Sequence, residues 1–278
     1  MPVREIESKQ NARLKQLRKA LAAPGRGAGE LAGIEGPHLL EEALRAGLRV
    51  ATVFVAPGAE RALEGLRLPA ATEVLKLPGK LLDSALTTET PQPIAALVEP
   101  PRWTWQHMLG LRLDSLPLVV VLAGLQDPGN LGAIVRSAEA FGATGVVCLP
   151  GTVSAWNAKA VRASAGSVFR MPLLAASVEE CFPRLHAGEV AIWATLPGRA
   201  KAANEVNLAK PAAFIIGSEG SGLAGDLIAR ADAAITIPCP GPVESLNAAV
   251  AASVLLYEAA RQRAAASGGP ADRRGARR

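Results

Sequence analysis

Apolar positions in this chain follow two different rhythms, and each predicts its own set of elements. Near the amino end Leu14, Leu17 and Leu21 recur at helical spacing among Lys9, Arg13, Lys15, Arg18 and Lys19, which predicts an amphipathic basic helix over residues 1 to about 22. A glycine-rich turn, PGRGAGE, follows. GELAGIEG then predicts a strand, PHLLEEALRAG a helix ended by Gly47, VATVFVAPG a strand, EVLKLPGKLLDSAL a strand plus a helix, and PIAALVEP a last strand. Together these make an α/β unit of about 100 residues. The next stretch, PPRWTWQHMLGLRLDSLP, has prolines at both ends and no clean period, so it reads as a linker.

From Leu118 the strands VVVLAGL, GVVCLP, VAIWATL, AAFIIGS and AAITIPCP are apolar at successive positions instead of alternating. That pattern belongs to a parallel sheet covered by helices on both faces, so the second half is predicted to be α/β as well. A last helix from about Leu246 to Arg263 closes it. The final SGGPADRRGARR holds no core-forming residues and predicts a disordered basic tail. The expected boundaries are therefore 1–100, a linker at 101–117, 118–264, and a tail at 265–278.

Three strand ends carry candidate chemistry. In AGLQDPGNLGAIVR a strand turns into a helix through Gly129, Asn130 and Gly132, without the G-x-G-x-x-G spacing or the lysine of a nucleotide loop. Asp127 or Asn130 can cap that helix, its free N–H groups favour an anion, and the glycines admit a ligand or another backbone. Leu131, Ile134, Ala138 and Phe141 form one stripe facing the sheet, which puts Arg136 on the opposite side. The second end, GSEGSGL, sets Gly217, Gly220 and Gly222 around Glu219. A carboxylate repels a phosphate, so these glycines suit an uncharged or cationic ligand. In the third, Pro238, Pro240, Gly241 and Pro242 force an irregular loop before Ser245 and Asn247 open a helix. That helix is apolar from Ala248 to Leu256, which predicts burial on every side, within the domain or against a second subunit. Taken singly, each feature also fits a solvated arginine, a plain glycine turn and an ordinary N-cap at Ser245.

Composition narrows the class. The chain has 278 residues, 49% hydrophobic and 20% charged, enough to bury a sizeable core in one large or two small domains. Its amino end shows no apolar signal region and no run approaches the roughly 18 apolar residues of a membrane span, so a cytoplasmic location is expected. Cys148, Cys181 and Cys239 are odd in number and lie apart from His38, His107 and His186, which excludes a disulfide framework and a zinc site, and no metal is expected. The net charge of +5 and a pI near 9.4 favour an acidic partner such as nucleic acid. With only 4% aromatic residues, a stacking platform for single strands is disfavoured, leaving Arg and Lys to meet phosphates.

In this order, N-L-G-A-I-V-R (130–136), F-I-I-G-S-E-G-S-G-L (214–223) and I-P-C-P-G-P-V-E-S-L-N-A-A-V-A-A-S-V-L-L-Y-E-A (237–259) resemble the three motifs of the SPOUT-class RNA ribose 2′-O-methyltransferases, the SpoU or TrmH-like family. The amino-terminal unit resembles their ribosomal-protein-like substrate-binding domain in E-S-K-Q-N-A-R-L-K-Q-L (7–17), I-E-G-P-H-L-L-E-E-A-L (34–44) and P-Q-P-I-A-A-L (91–97). The resemblance implies a parallel-sheet domain whose carboxy-terminal segment forms a deep trefoil knot, otherwise nearly absent from proteins. It implies S-adenosylmethionine as cofactor, with Gly217, Ile237 and Leu246 against it and Thr195, Leu196 and Gly220 near it. It implies a homodimer through the knot helices, with Asn130, Arg136, Glu219, Ser245 and Asn247 as the catalytic set at the seam, and RNA held by Lys9, Arg13 and Arg18.

The extra amino-terminal domain favours ribosomal over transfer RNA by analogy. One departure stands out: the family usually has methionine after I-P, where this chain has Cys239. Two other readings remain. A dinucleotide-binding oxidoreductase would need a fingerprint spacing and a strand-end acid that are missing. An RNA-binding protein could keep the fold without catalysis, and the tail arginines Arg273, Arg274, Arg277 and Arg278 could serve RNA or solubility.

Overall fold

In the computed structural model, which describes residues 3–22, 29–110, 116–198 and 200–267, the chain forms two compact units. One is built on the amino-terminal residues up to Arg102 with Leu131–Arg136 and Ser154–Arg170, the other on Trp103–Asn130, Ser137–Val153 and the residues from Met171 on. The first unit begins with β1 (Val3–Glu5), α1 (Ala12–Ala22), β2 (Ala32–Glu35), α2 (Pro37–Arg45), β3 (Val50–Val55), β4 (Glu73–Lys76), α3 (Gly79–Asp83) and β5 (Ile94–Val98). Its sheet runs β1-β4-β3-β5-β2, with β4 parallel to β1 and β3 and β5 antiparallel to β2 and β3. Leu14, Leu17 and Leu21 pack into its core with Phe54, Leu75 and Leu97.

The single helix expected over residues 1–22 is corrected here. Val3–Glu5 pairs with Val74–Lys76 instead, and the helix starts only after Asn11, whose Oδ1 accepts the N–H groups of Arg13 at 2.9 Å and Leu14 at 3.3 Å. Most of the glycine-rich turn lies outside the described residues.

The chain continues through α4 (Trp105–Leu109), β6 (Leu118–Ala123), α5 (Pro128–Ala140), β7 (Gly145–Cys148), α6 (Ala158–Ala163), β8 (Leu173–Ala175), α7 (Val178–Ala187), β9 (Ala191–Thr195), β10 (Lys201–Ala202), β11 (Ala212–Gly217), α8 (Gly225–Arg230), β12 (Ala233–Thr236) and α9 (Ala248–Ala266). The second unit holds a sheet in the order β10-β12-β9-β11-β6-β7-β8, parallel throughout, as the unbroken apolar strands require. On one of its faces Val119, Val121, Val147, Ile192 and Ile215 pack with Phe182 and Leu185 of α7.

Met108 joins that core, which corrects the plain linker expected at 101–117. Thr104 and His107 form a capping box at the start of α4, and the Trp105 indole donates to Glu180 at 2.7 Å. A helix of five residues is too short to show a period.

Asn247 caps α9, its Oδ1 accepting from the N–H groups of Ala249 at 2.9 Å and Val250 at 3.3 Å. The helix thus opens at Ala248, not Leu246, and runs past Arg263 to Ala266. Burial on every side does not hold within one chain: Ala252, Leu255, Leu256 and Ala259 are buried, whereas Val250, Val254 and Tyr257 are 48%, 38% and 55% exposed. Near its end Arg263 donates to four carbonyls, those of Leu208 at 3.2 Å, Leu116 at 2.7 Å, Pro117 at 2.9 Å and Lys210 at 2.8 Å. Burial holds this guanidinium below its ordinary range. Most of the tail expected at 265–278, with Arg273, Arg274, Arg277 and Arg278, lies outside the described residues. Among the described residues no helix is long and apolar enough to cross a membrane.

Candidate active site

Parallel α/β sheets bind ligands beyond the carboxyl ends of their strands. In the second unit the ends of β9, β11 and β12 and the turn before α9 border a cleft of about 660 Å³, a volume ordinary for a small-molecule site. Thr195, Leu196, Gly217, Ile237 and Leu246, five of the six residues expected beside a cofactor, line it.

Gly220 does not line the cleft, because the loop that bears it folds back on itself. Gly222 N–H donates to the Ser218 carbonyl at 3.0 Å, and Gly222 takes φ +64°. This return passes so close to Gly217 that a Cβ there would lie 2.4 Å from the Gly222 carbonyl carbon. Gly217 is thus required by the loop itself. Sequence reasoning did not single out Gly198, Leu223 and Val243 in the lining, although Leu223 and Val243 lie within the second and third motifs.

The residues present fit S-adenosylmethionine. Thr195 Oγ1 is buried in the wall and has no hydrogen-bond partner among the described residues, so it is available to a ligand. The acids in the lining are Glu219 and Glu244, and among the described residues no lysine or arginine accompanies them. That balance suits a sulfonium and opposes a phosphate.

Beside the cleft runs a directed chain of hydrogen bonds. Asp127 caps α5 by accepting from the Asn130 N–H at 2.8 Å, with Pro128 next in the first turn. The Asn247 Oδ1 is committed to the start of α9, so its Nδ2 must donate, and it does so to Asn130 Oδ1 at 3.2 Å. Asn130 Nδ2 in turn donates to Glu219 Oε1. The orientation of both amides is therefore set by the helix N-terminus. Ser245 lies exposed on the cleft wall, and the N-cap role considered for it belongs to Asn247.

Arg136 is exposed on α5, outside the cleft lining. Of its helix, Leu131, Ile134 and Ala138 are buried as expected, but Phe141 is half-buried and meets the Tyr257 ring edge-on at 5.8 Å. The close approach expected at Gly132 is to a backbone: a Cβ there would lie 2.4 Å from the Ala160 carbonyl oxygen of α6. In the first unit Arg13 pairs with Glu73 at 3.1 Å, Arg18 reaches the Ser84 hydroxyl at 3.5 Å, and Lys9 is exposed.

Desolvation pushes the thiols of Cys148 and Cys181 up to about 12, while Cys239 is exposed on the cleft wall. Among the described residues no three His, Cys, Asp or Glu gather as a metal site.

Comparison with known proteins gives this architecture its class. The SpoU rRNA Methylase family matches residues 117–257, and the MRM3-like substrate binding domain matches residues 11–96. The chain belongs to the SpoU rRNA methylase family. It is 32% identical over 259 residues to the 23S rRNA (guanosine(2553)-2′-O)-methyltransferase RlmP of Bacillus subtilis (strain 168), covering 92% of this chain and 98% of that one. Among solved structures it is similar to the AdoMet-bound rRNA methyltransferase from Sinorhizobium meliloti, with TM-score 0.80, 28% identity and coverage of 93% of this chain and 98% of that chain. It is also similar to the SpoU methyltransferase AviRb from Streptomyces viridochromogenes in complex with AdoMet, with TM-score 0.78, 27% identity and coverage of 94% and 100%.

Proposed function

We propose that this protein methylates a ribose 2′-hydroxyl of structured RNA, ribosomal RNA rather than transfer RNA, with S-adenosylmethionine as donor. One observation carries the reading: Thr195, Leu196, Gly217, Ile237 and Leu246 converge on one cleft, and Glu219, one of its two acids, is tied through Asn130 to Asn247. Two of the relatives named above are rRNA methyltransferases, and the 2′-hydroxyl is the group that distinguishes RNA from DNA.

When bound, S-adenosylmethionine supplies a methyl group already activated on a sulfonium. The protein's part is then alignment and proton handling. The backbones at Gly217, Ile237 and Leu246 hold the donor, and Glu219 favours its positive charge. Asn130 and Asn247 orient Glu219 and the ribose. Arg136 is a poor base, because a guanidinium keeps its proton across the range in which enzymes work. It serves instead to clamp the neighbouring phosphate and to stabilise the developing alkoxide, while the proton leaves through water or Ser245.

The rest of the reading follows the same frame. Residues 1–100 hold the RNA through Lys9, Arg13 and Arg18, 101–117 connect and carry the short helix α4, and 118–264 form the methyltransferase domain with a carboxy-terminal trefoil knot, α9 running on to Ala266 before a basic tail. Val250, Val254 and Tyr257 on α9, exposed in the single chain, form the face for a second copy, and Arg136 acts at the seam of that homodimer. The site of action is the cytoplasm.

Calorimetry with S-adenosylmethionine and mapping of ribose methylation in cells with and without the gene test the assignment; no cofactor binding would remove it and favour a non-catalytic RNA binder. Arg136→Lys is expected to lower methylation about 100-fold with cofactor affinity unchanged. A full rate in that variant rules out the clamp.

A further inference from the structure

A second cleft, of about 530 Å³, opens in the same unit and shares no lining residue with the cofactor cleft, and Trp193, Lys201, Glu205 and Lys210 are among the residues that line it. We propose that it is an accessory RNA subsite that takes one unpaired nucleotide of the substrate, its base stacked on the Trp193 indole and its flanking phosphates at Lys201 and Lys210. The inference rests on the RNA reading above and adds where the strand is held.

Three observations carry it. First, Trp193 stands apart from the other tryptophans. Trp105 donates its indole N–H to Glu180, Trp156 stacks on Phe169 at 5.9 Å, and Trp103 meets His107 edge-on at 5.5 Å. The half-buried Trp193 ring has no aromatic or hydrogen-bonded partner among the described residues, although it borders open volume. A large planar ring held by a strand and left with a free surface is what a base needs for stacking.

Second, Lys201 and Lys210 are both exposed, and neither has a carboxylate partner among the described residues. Glu205 is the acid of the lining. It repels a phosphate at its own position and can accept from the exocyclic amino group of a base, so the phosphates belong at the lysines and the base between Trp193 and Glu205.

Third, strand geometry links the two clefts. Trp193 and Thr195 are two residues apart on β9 and therefore share one face, about 7 Å apart along the strand. Thr195 lines the cofactor cleft and Trp193 lines this one. The low aromatic content that disfavours an extended stacking platform is compatible with a single stacking position.

The test uses the full chain and a fluorescein-labelled single-stranded oligoadenylate, followed by anisotropy over a salt series, with calorimetry of S-adenosylmethionine on each variant. Trp193→Ala is expected to weaken the oligonucleotide about tenfold, and Trp193→Phe to restore most of that loss. Lys201→Ala combined with Lys210→Ala is expected to flatten the logarithmic salt dependence by about 1.4, two contacts at about 0.7 each for a single strand. Cofactor affinity stays at the wild-type value in the lysine variant. Should Trp193→Ala lose cofactor affinity through damage to β9, the lysine pair, which is exposed, decides alone. Wild-type affinity and salt slope in that pair would overturn the subsite while leaving RNA methylation standing. A wild-type chain that ignores oligoadenylate also overturns the subsite, and methylation of ribosomal RNA then reports separately on the wider reading.

Discussion

Glu35 and Glu219 are each followed by glycine, and each stands at or just beyond the end of a strand, one in each unit. Glu35 is 4% exposed. Its Oε1 accepts from the Thr88 hydroxyl at 2.5 Å and the Gln92 N–H at 3.0 Å, and Arg162 stands 3.8 Å from its Oε2. Glu219 is exposed in the cleft wall, with Asn130 donating to one oxygen. A buried carboxylate fastened by neutral donors is part of the scaffold, since removing it strands those donors. An exposed one oriented through a single oxygen keeps acceptor capacity for a ligand. The dipeptide is the same, and its surroundings assign the role.

The largest effect that tests this contrast is expected from Glu219→Ala, a fall in methylation of about 100-fold or more with an unchanged melting temperature. An unchanged rate would make Glu219 a bystander. Glu35→Ala should do the reverse, costing about 3 kcal/mol of stability in urea unfolding while cofactor affinity, measured by calorimetry where the fold persists, is untouched. Asn247 allows a finer separation. Asn247→Asp keeps the acceptor that caps α9 but loses the donor to Asn130, so about a tenfold fall in rate at near-native stability is expected, whereas Asn247→Ala adds about 1 kcal/mol for the lost cap. The smallest effect belongs to Arg162→Gln: its distance from Glu35 and its partial exposure limit the change to less than about 1 kcal/mol.

How much of this was legible in the sequence depends on range. The unbroken apolar runs at 118–123 and 212–217 predicted a parallel sheet, and those strands pair over six residues from Ala212 with Leu118 to Gly217 with Ala123. The motifs held Gly217, Ile237 and Leu246, and the resemblance they carry added Thr195 and Leu196, all five in the cleft lining. What stayed hidden was set by contacts distant in sequence or by segments too short to show a period. Val-Arg-Glu at 3–5 becomes a strand only because Val74–Lys76 lies beside it, and β10 has two residues. The glycine loop could be recognised, but not that Gly217 serves the loop's own return while Gly220 stays outside the cleft. Nor could spacing show that Asn247 and Asn130, 117 positions apart, would be bonded. The apolar run of α9 was visible, but not which side would remain open at Val250, Val254 and Tyr257.

The four carbonyls gathered by Arg263 give the last helix an unusual dependence on one planar cation. Leu116 and Pro117 lead into β6, and Leu208 and Lys210 lead into β11, so a single side chain latches the entrances of the two central strands. Lysine offers fewer donors and no planar fork, so it cannot reproduce the latch. A premature stop before codon 263 would release both entrances at once, whereas one after 267 would leave the fastening whole.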